Sequence, residues 1–341
     1  MLFFSRISNG LRPGAFRSTL IGLAVLISFQ TSPIARAEVA VLGQEGSISA
    51  VKWFPTVSPE EAAAGQTVAT VPAELQNITA KSVIILDDAD DTIIFAKEPD
   101  QPRQPASTIK VLTGIIAIHS LAGDEAVPVS REAASRPSSK MYLDPAKAYR
   151  ADELISGVLL GSANDASVAL AEMIAGNESD FAEFMNLQAS HFGATHTNCK
   201  TATGLTAKDQ TSTARDLALI FREAMRDDNF SARMKVRSIT TDEGNTLYNH
   251  NKALWRIEGA EGGKTGYTLA ARQTYVGKFS NGEATFIVAI MGSETMWRDL
   301  KQLVNFAYGQ YPHILSARKE REASDLLANS RKDETIPKSY N

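Results

Sequence analysis

Ser107 and Lys110 stand three residues apart at the head of the run PASTIKVLTGIIAI. A serine oxygen is a poor nucleophile until a base takes its proton. A lysine can be that base only if burial or a neighbouring cation lowers its pKa. The run behind Lys110 is apolar on nearly every side and reads as a buried helix, where an ammonium is costly unless something uses it. Pro105 suits a first helical turn. The spacing puts both side chains on one face, with Ser107 near the positive end of the helix dipole. The chemistry that follows is acyl transfer through a Ser–Lys pair.

The spacing alone is a weak signal, because Ser49–Lys52 and Ser316–Lys319 repeat it in a loose N-terminal stretch and a charged tail. Ser107 differs in its setting and its company. Ser162-Ala163-Asn164 and Lys264-Thr265-Gly266 follow it in order. Taken singly, the first reads as a helix break and the second as a turn at a strand edge. Together with S-x-x-K they read as one constellation.

The elements that must position these residues are legible as periodicities. SVIIL and TIIFA flank the acidic turn DDADD, a hairpin signal. Residues 105–121 form the helix of the nucleophile, closed by Gly123. Residues 131–150 are loop-like. Helical periodicity over 151–176 breaks at Gly161–Asn164, and 178–193 and 213–227 read as amphipathic helices. RQTYVGKF and ATFIVAIMG are strands joined through Asn281-Gly282, the strongest hairpin turn signal. RDLKQLVNFAYGQY is a last apolar-faced helix. The expectation is one α/β (α+β) domain over residues 76–315, in which the first hairpin and the late strands make an antiparallel sheet packed by helices. Residues 316–341 read as a charged, frayed tail.

The N-terminus reads differently. Arg6, Arg12 and Arg17 precede the apolar run STLIGLAVLISF, which ends near Ala35-Arg36-Ala37. That is the pattern of a secretory signal peptide over residues 1–37, too short for a membrane span of about 20 residues. An uncleaved anchor is the alternative. Residues 38–75, with Pro55, Pro59 and Pro72, read as a poorly ordered mature N-terminus holding at most one short element. The formal net charge is −4, and the leader carries four arginines and no acid, so the mature chain is more acidic still. Nucleic acid is excluded as a partner on that balance. Cys199 is the only cysteine, so no internal disulfide can form, and it reads as buried and inert. The five histidines lack metal-ligand spacing, so no metal or cofactor is expected.

S-x-x-K, S-x-N and K-T-G in this order resemble the signature of penicillin-binding proteins and class A β-lactamases. The chain resembles the low-molecular-weight penicillin-binding proteins, the D-alanyl-D-alanine carboxypeptidase family of serine peptidases. The likeness extends beyond the three motifs, from about Ala80 to Tyr308, through KSVIILDDADDTIIFAKEPDQPRQPASTIKVLTG, DELISGVLLGSANDASVALAEMIAG, TATGLTAKDQTSTARDLALI and EGGKTGYTLAARQTYVGKF. It implies a β-lactamase/transpeptidase-like fold with a helical subdomain. It also implies Ser107 as the acylated nucleophile, Lys110 as its base, and Ser162 as a proton relay to the leaving amine. Asn164 would hold a substrate amide. Lys264 would supply a second cation that keeps Lys110 neutral, and Thr265 and Gly266 would bind the substrate at its terminal carboxylate. The backbone N–H groups of Ser107 and Tyr267 would form the oxyanion hole. Arg298 is the carboxylate-binding arginine by this likeness, with a one-residue gap, and Arg272 is its rival.

The departures matter too. The nearest string to the deacylating E-x-x-L-N of class A β-lactamases is Glu183-Phe184-Met185-Asn186, which lacks the leucine, so fast β-lactam hydrolysis is not expected. About 33 residues follow Tyr308, too few for the C-terminal β domain of some relatives, and their sparse apolar residues predict no membrane anchor. The resemblance therefore implies an exported serine-type carboxypeptidase, periplasmic or extracellular at the cell wall. Its substrate would be the peptidoglycan stem peptide and its covalent inhibitors the β-lactams. A D-alanyl-D-alanine endopeptidase cutting cross-links is the nearest alternative, and a penicillin-binding sensor with little turnover the more distant one.

Overall fold

The computed structural model describes residues 40–42, 48–50 and 71–334, apart from Ser138 and Glu283. The expected signal peptide lies outside the described residues, as does most of the stretch 38–75. Within that stretch Ala40–Leu42 and Ile48–Ala50 pair as short antiparallel strands.

Five antiparallel strands make the central sheet: β1 (Ser82–Asp87), β2 (Ile93–Lys97), β3 (Ala260–Thr268), β4 (Arg272–Ser280) and β5 (Thr285–Ser293). Their spatial order is β2-β1-β5-β4-β3, so the first hairpin pairs with the last strand and β3 lies at an edge. β1 is apolar without alternation because both of its faces are covered. Ile84 and Leu86 join the core under the helices, whereas Val83 and Ile85 join the core under the C-terminal helix. The β4–β5 turn runs through Gly282 at φ 87°, a left-handed conformation that glycine reaches at little cost.

On one face lie α1 (Lys110–Ser120), α2 (Ala151–Leu159), α3 (Asn164–Ala175), α4 (Glu178–His191) and α5 (Ala214–Ala224). Asn177 and Thr213 cap α4 and α5, each side chain accepting from an N–H three residues on. α1 is buried from Lys110 to Ala117. Short strand pairs at 126–128 with 148–150, and at 238–240 with 246–248, interrupt stretches whose sequence carries little periodicity.

The opposite face is covered by α6 (Met296–Glu334), whose Leu300, Leu303, Val304, Ala307 and Tyr311 pack on Tyr275, Phe286 and Val288. Two expectations about the domain edges are corrected here. Over residues 316–334 the tail is helical and not frayed: α6 continues to Glu334, past Pro312, and the last seven residues lie outside the described ones. Its sequence is rich in Ala, Lys, Glu and Arg, good helix formers even without an apolar stripe, and Arg318 anchors it to Asp87 and Asp90. The folded domain also begins before residue 76, because a 3₁₀ turn at Ala73–Leu75 buries Leu75 completely.

Candidate active site

The nucleophile does not sit on regular α-helix. Ala106–Ile109 is a 3₁₀ turn that runs into α1 at Lys110. In 3₁₀ geometry residues three apart eclipse one another, which stacks Lys110 over Ser107, and Lys110 Nζ stands 3.1 Å from Ser107 Oγ. Ala106 just before the serine has φ 51°. Such a conformation costs of order 1 kcal/mol and persists only where the surroundings impose it. Here Thr108 and Thr274 hydroxyls both donate to the Pro105 carbonyl, at 2.6 and 2.9 Å.

Lys110 is fully buried and donates to three acceptors: Ser107 Oγ, Asn164 Oδ1 at 2.7 Å and the Thr203 carbonyl at 2.6 Å. None is a carboxylate. Burial pushes its pKa well below the usual lysine value and Lys264 pushes it the same way, while Glu178 and Asp165 pull upward.

Ser162 lies in the gap between α2 and α3 at φ 60°. Asn164 opens α3, with its Nδ2 on the Pro137 carbonyl at 2.9 Å and its N–H on the Ser139 carbonyl at 2.7 Å. From the sheet side, Lys264 on β3 reaches Ser162 Oγ at 2.9 Å, and burial lowers its pKa to about 7. Lys264-Thr265-Gly266 lies within the edge strand, paired with Val276, Tyr275 and Thr274 of β4, and is no turn. Gly266 has a steric reason: a Cβ there would stand 2.8 Å from Ser107 N and 3.0 Å from Thr108 N. The strand thus presses its backbone against the nucleophile turn, which puts Tyr267, the next residue along it, beside the serine.

Ser107, Lys110 and Asn164 are therefore one hydrogen-bonded group and Lys264 and Ser162 a second, coupled to the first through the charge of Lys264 on Lys110. Gly266 abuts the nucleophile turn of this cluster. Arg298 is not part of it. It projects from the first turn of α6 with its Nη2 3.3 Å from the Asn77 carbonyl, and its side chain is 56% exposed. Arg272 at the start of β4 is paired with Glu294. Neither arginine touches the cluster.

Several contributors are invisible in the sequence. The Thr203 and Pro137 carbonyls carry no side-chain signature, and TATGLTAKDQ is legible only as part of a family likeness. Glu178 brackets both: its Oε1 accepts from Ala202 N at 2.9 Å and its Oε2 from Arg136 at 2.8 Å, the residues preceding Thr203 and Pro137. Burial raises its pKa against the pull of Arg136. His250 joins from the rim, its N–H on the Leu160 carbonyl at 3.0 Å. His250 is exposed by surface area, yet desolvation by the atoms packed around it, then Lys264 and Lys110, lowers its pKa to about 4. Cys199 is buried as expected, its thiol pushed up to about 12 by burial.

A serine facing a neutralisable lysine, with a second Lys–Ser pair opposite, defines an acyl-transferring serine enzyme. Comparison with known proteins narrows the class. The family described as D-alanyl-D-alanine carboxypeptidase matches residues 66–295. The D-alanyl-D-alanine carboxypeptidase DacB2 of Mycobacterium tuberculosis is 33% identical over 244 residues, covering 68% of this chain and 84% of the relative. The D-alanyl-D-alanine carboxypeptidase DacC of Escherichia coli is 31% identical over 250 residues, of which this chain spans only 61% of the length. Among solved structures, a D-alanyl-D-alanine carboxypeptidase from M. tuberculosis superposes with a TM-score of 0.67 at 31% identity, over 72% of this chain and 96% of that one. Penicillin binding protein 6B from E. coli gives 0.62 at 30%, over 71% and 81%. The chain belongs to the D-alanyl-D-alanine carboxypeptidase family, and its fold is that of the penicillin-binding peptidases.

Proposed function

We propose that the protein is a serine-type D-alanyl-D-alanine carboxypeptidase that removes the terminal D-alanine from peptidoglycan stem peptides through an acyl-enzyme on Ser107. One observation carries the reading: Lys110 is buried without a carboxylate partner and 3.1 Å from Ser107 Oγ. A lysine so placed gives up its proton far more readily than an ordinary lysine and can then accept that of the serine.

Ser107 Oγ attacks the carbonyl of the penultimate D-alanine as Lys110 takes the hydroxyl proton. The backbone N–H groups of Ser107 and Tyr267 receive the oxyanion. Lys264 and Ser162, linked at 2.9 Å, deliver a proton to the departing amine, so D-alanine leaves as the C–N bond breaks. Water then hydrolyses the ester and restores Ser107. Asn164 and Thr265 hold the substrate on either side. A β-lactam acylates the same serine, because its strained amide mimics the bond attacked. Export behind the N-terminal segment places the enzyme at the wall, and no helix of the described residues is long and apolar enough to cross a membrane.

The test measures D-alanine release from a pentapeptide and from a cross-linked dimer, with mass-spectrometric mapping of a labelled penicillin. The expected result is D-alanine from the pentapeptide and label on Ser107, both lost in Ser107→Ala. Release from the dimer alone would replace this reading with an endopeptidase, and label elsewhere would remove Ser107 from its role. Arg298→Ala and Arg272→Ala, assayed on a peptide acid and its amide, decide which arginine, if either, reads the terminal carboxylate.

A further inference from the structure

The hydrogen bonds that leave Glu178 return to it. Its Oε1 accepts from Ala202 N at 2.9 Å, and the next carbonyl along, that of Thr203, accepts from Lys110 Nζ at 2.6 Å. Lys110 donates onward to Asn164 Oδ1 at 2.7 Å, and Asn164 Nδ2 donates to the Pro137 carbonyl at 2.9 Å. Arg136, one residue back, closes the ring on Glu178 Oε2 at 2.8 Å. Two segments far apart in sequence, 136–137 and 202–203, are thus held from outside by one carboxylate. From inside they are used by the catalytic lysine and by Asn164. The second segment has little room to move: the Thr113 hydroxyl donates to the Ala202 carbonyl at 2.7 Å. Gly204 follows at φ 72°, where a Cβ would collide with the carbonyl of Ala106, the residue before the nucleophile. An acid in the first turn of a helix has a simpler use, which is to offset the dipole. That use needs neither arm of the ring, and α4 already has its cap in Asn177. It also favours a solvated carboxylate, whereas the Glu178 side chain is only 16% exposed.

We propose that Glu178 is a positioning residue for acylation, holding the Thr203 and Pro137 carbonyls where they aim the lone pair of Lys110 at Ser107. This rests on the reading in which Lys110 is the base of Ser107. A neutral lysine keeps two N–H bonds and one lone pair. The Thr203 carbonyl and Asn164 Oδ1 can only accept, so they take the two hydrogens. The lone pair is left for Ser107 Oγ, the one partner able to donate, and its proton passes to Nζ as Oγ attacks. Both acceptors belong to the ring that Glu178 closes, so loosening it lets the amine turn. The charge of Glu178 reaches the same group. Lys110 faces Lys264, which lowers its pKa, and Glu178 and Asp165, which raise it, while His250 is neutral above about pH 4. Glu178 itself faces Arg136, Glu132 and Lys110. Removing its charge therefore lowers Lys110 further, whereas loosening the ring slows proton transfer at every pH. A pH profile separates the two effects.

The experiment measures acylation of Ser107 by a labelled penicillin across pH in Glu178→Gln and Glu178→Asp, with melting temperatures alongside. Glutamine removes the charge and offers one acceptor oxygen, so it can hold one arm only. Its plateau rate should fall about tenfold, within the loss that a small misplacement of a reacting group produces. Its acid limb should move to lower pH, because Lys110 is then neutral at lower pH. Aspartate keeps the charge but is one methylene too short to span both arms. Its plateau should fall by a similar factor with the limb in place. Wild-type profiles in the folded variants would refute the proposal. So would a plateau loss in Glu178→Gln whose limb stayed put or moved to higher pH, since that is the mark of a structural residue alone. Should Glu178→Gln not fold, Glu178→Asp decides by itself, and a wild-type plateau there refutes the proposal. Penicillin labelling reads acylation directly. Wild-type enzyme labelled on Ser107 that released no D-alanine from a pentapeptide would overturn the carboxypeptidase reading and leave the role of Glu178 standing.

Discussion

Lys110 and Lys264 are surrounded in the cleft by hydroxyls, an amide oxygen and backbone carbonyls. At the opposite end of the sheet, the cations that meet the acidic turn of residues 87–91 are paired with carboxylates. Lys278 reaches Asp88 at 2.6 Å, Arg318 reaches Asp87 and Asp90 at 3.1 Å, and Arg222 pairs with Asp91. Both regions place basic side chains at low exposure, yet Lys110 and Lys264 move opposite to Arg318. Arg222, the most buried cation at the turn, is lowered by burial although Glu223 and Asp88 oppose it. Burial drives Lys110 well down and Lys264 to about 7. At the turn, the hydrogen bond to Asp90 raises Arg318, although burial opposes it. A carboxylate partner keeps a cation charged and structural, whereas neutral acceptors leave its proton removable. The cleft uses the second arrangement because its chemistry needs a base.

The largest effect should come from abolishing that removability. Lys110→Arg keeps a cation that stays protonated at any working pH, and Lys110→Met keeps the approximate length without a proton acceptor. Both should slow acylation of Ser107 by labelled penicillin by about 10²–10⁴-fold, the range of general-base catalysis. Circular dichroism checks that each variant is folded. Acylation by Lys110→Met at the wild-type rate would show that the serine does not need this base.

A smaller effect should follow from Lys264→Gln. Its ammonium opposes protonation of Lys110, so removing it raises the pKa of Lys110. The base is then neutral only at higher pH, and the acid limb of the acylation profile moves to higher pH. A shift of about one unit, with a roughly tenfold loss on that limb, is the expected scale for one like charge. A limb that stayed in place or moved to lower pH would separate the two lysines electrostatically.

How legible each region was in the sequence follows from the same contrast. The cleft announced itself because a buried lysine behind a serine has few purely structural explanations, and three short motifs repeat the chemistry along the chain. The hairpin SVIIL–TIIFA and the strands after Gly262 were equally readable, since an apolar run bounded by turn residues has few other uses. What escaped was whatever depends on backbone: the 3₁₀ entry to α1 and the carbonyls of Pro137 and Thr203. The C-terminal tail was misread for the opposite reason. SARKEREAS carries no apolar stripe, and the periodicity that identifies packed helices is silent on a helix held by arginine contacts to a distant turn.

Those contacts supply the smallest predicted effect. Arg318 Nη2 reaches Asp87 Oδ1, an atom that also accepts from Ala89 N at 2.8 Å, while the Asp87 carboxyl is fully buried beside the Tyr311 hydroxyl. Arg318→Ala would leave that carboxylate with one hydrogen bond fewer in a place water does not reach. Stranding a buried polar group costs about 1–3 kcal/mol. Asp90, which is partly exposed, should contribute little to the loss. Urea unfolding should therefore show a lower midpoint with an unchanged slope, while penicillin acylation of Ser107 keeps its rate and pH profile. The double variant Asp87→Asn, Arg318→Ala should recover part of the loss, because a neutral amide is cheaper to bury than an unpaired charge. If Arg318→Ala instead moved the acid limb of acylation, the turn and the cleft would share their electrostatics, and the division between paired and unpaired cations would fail.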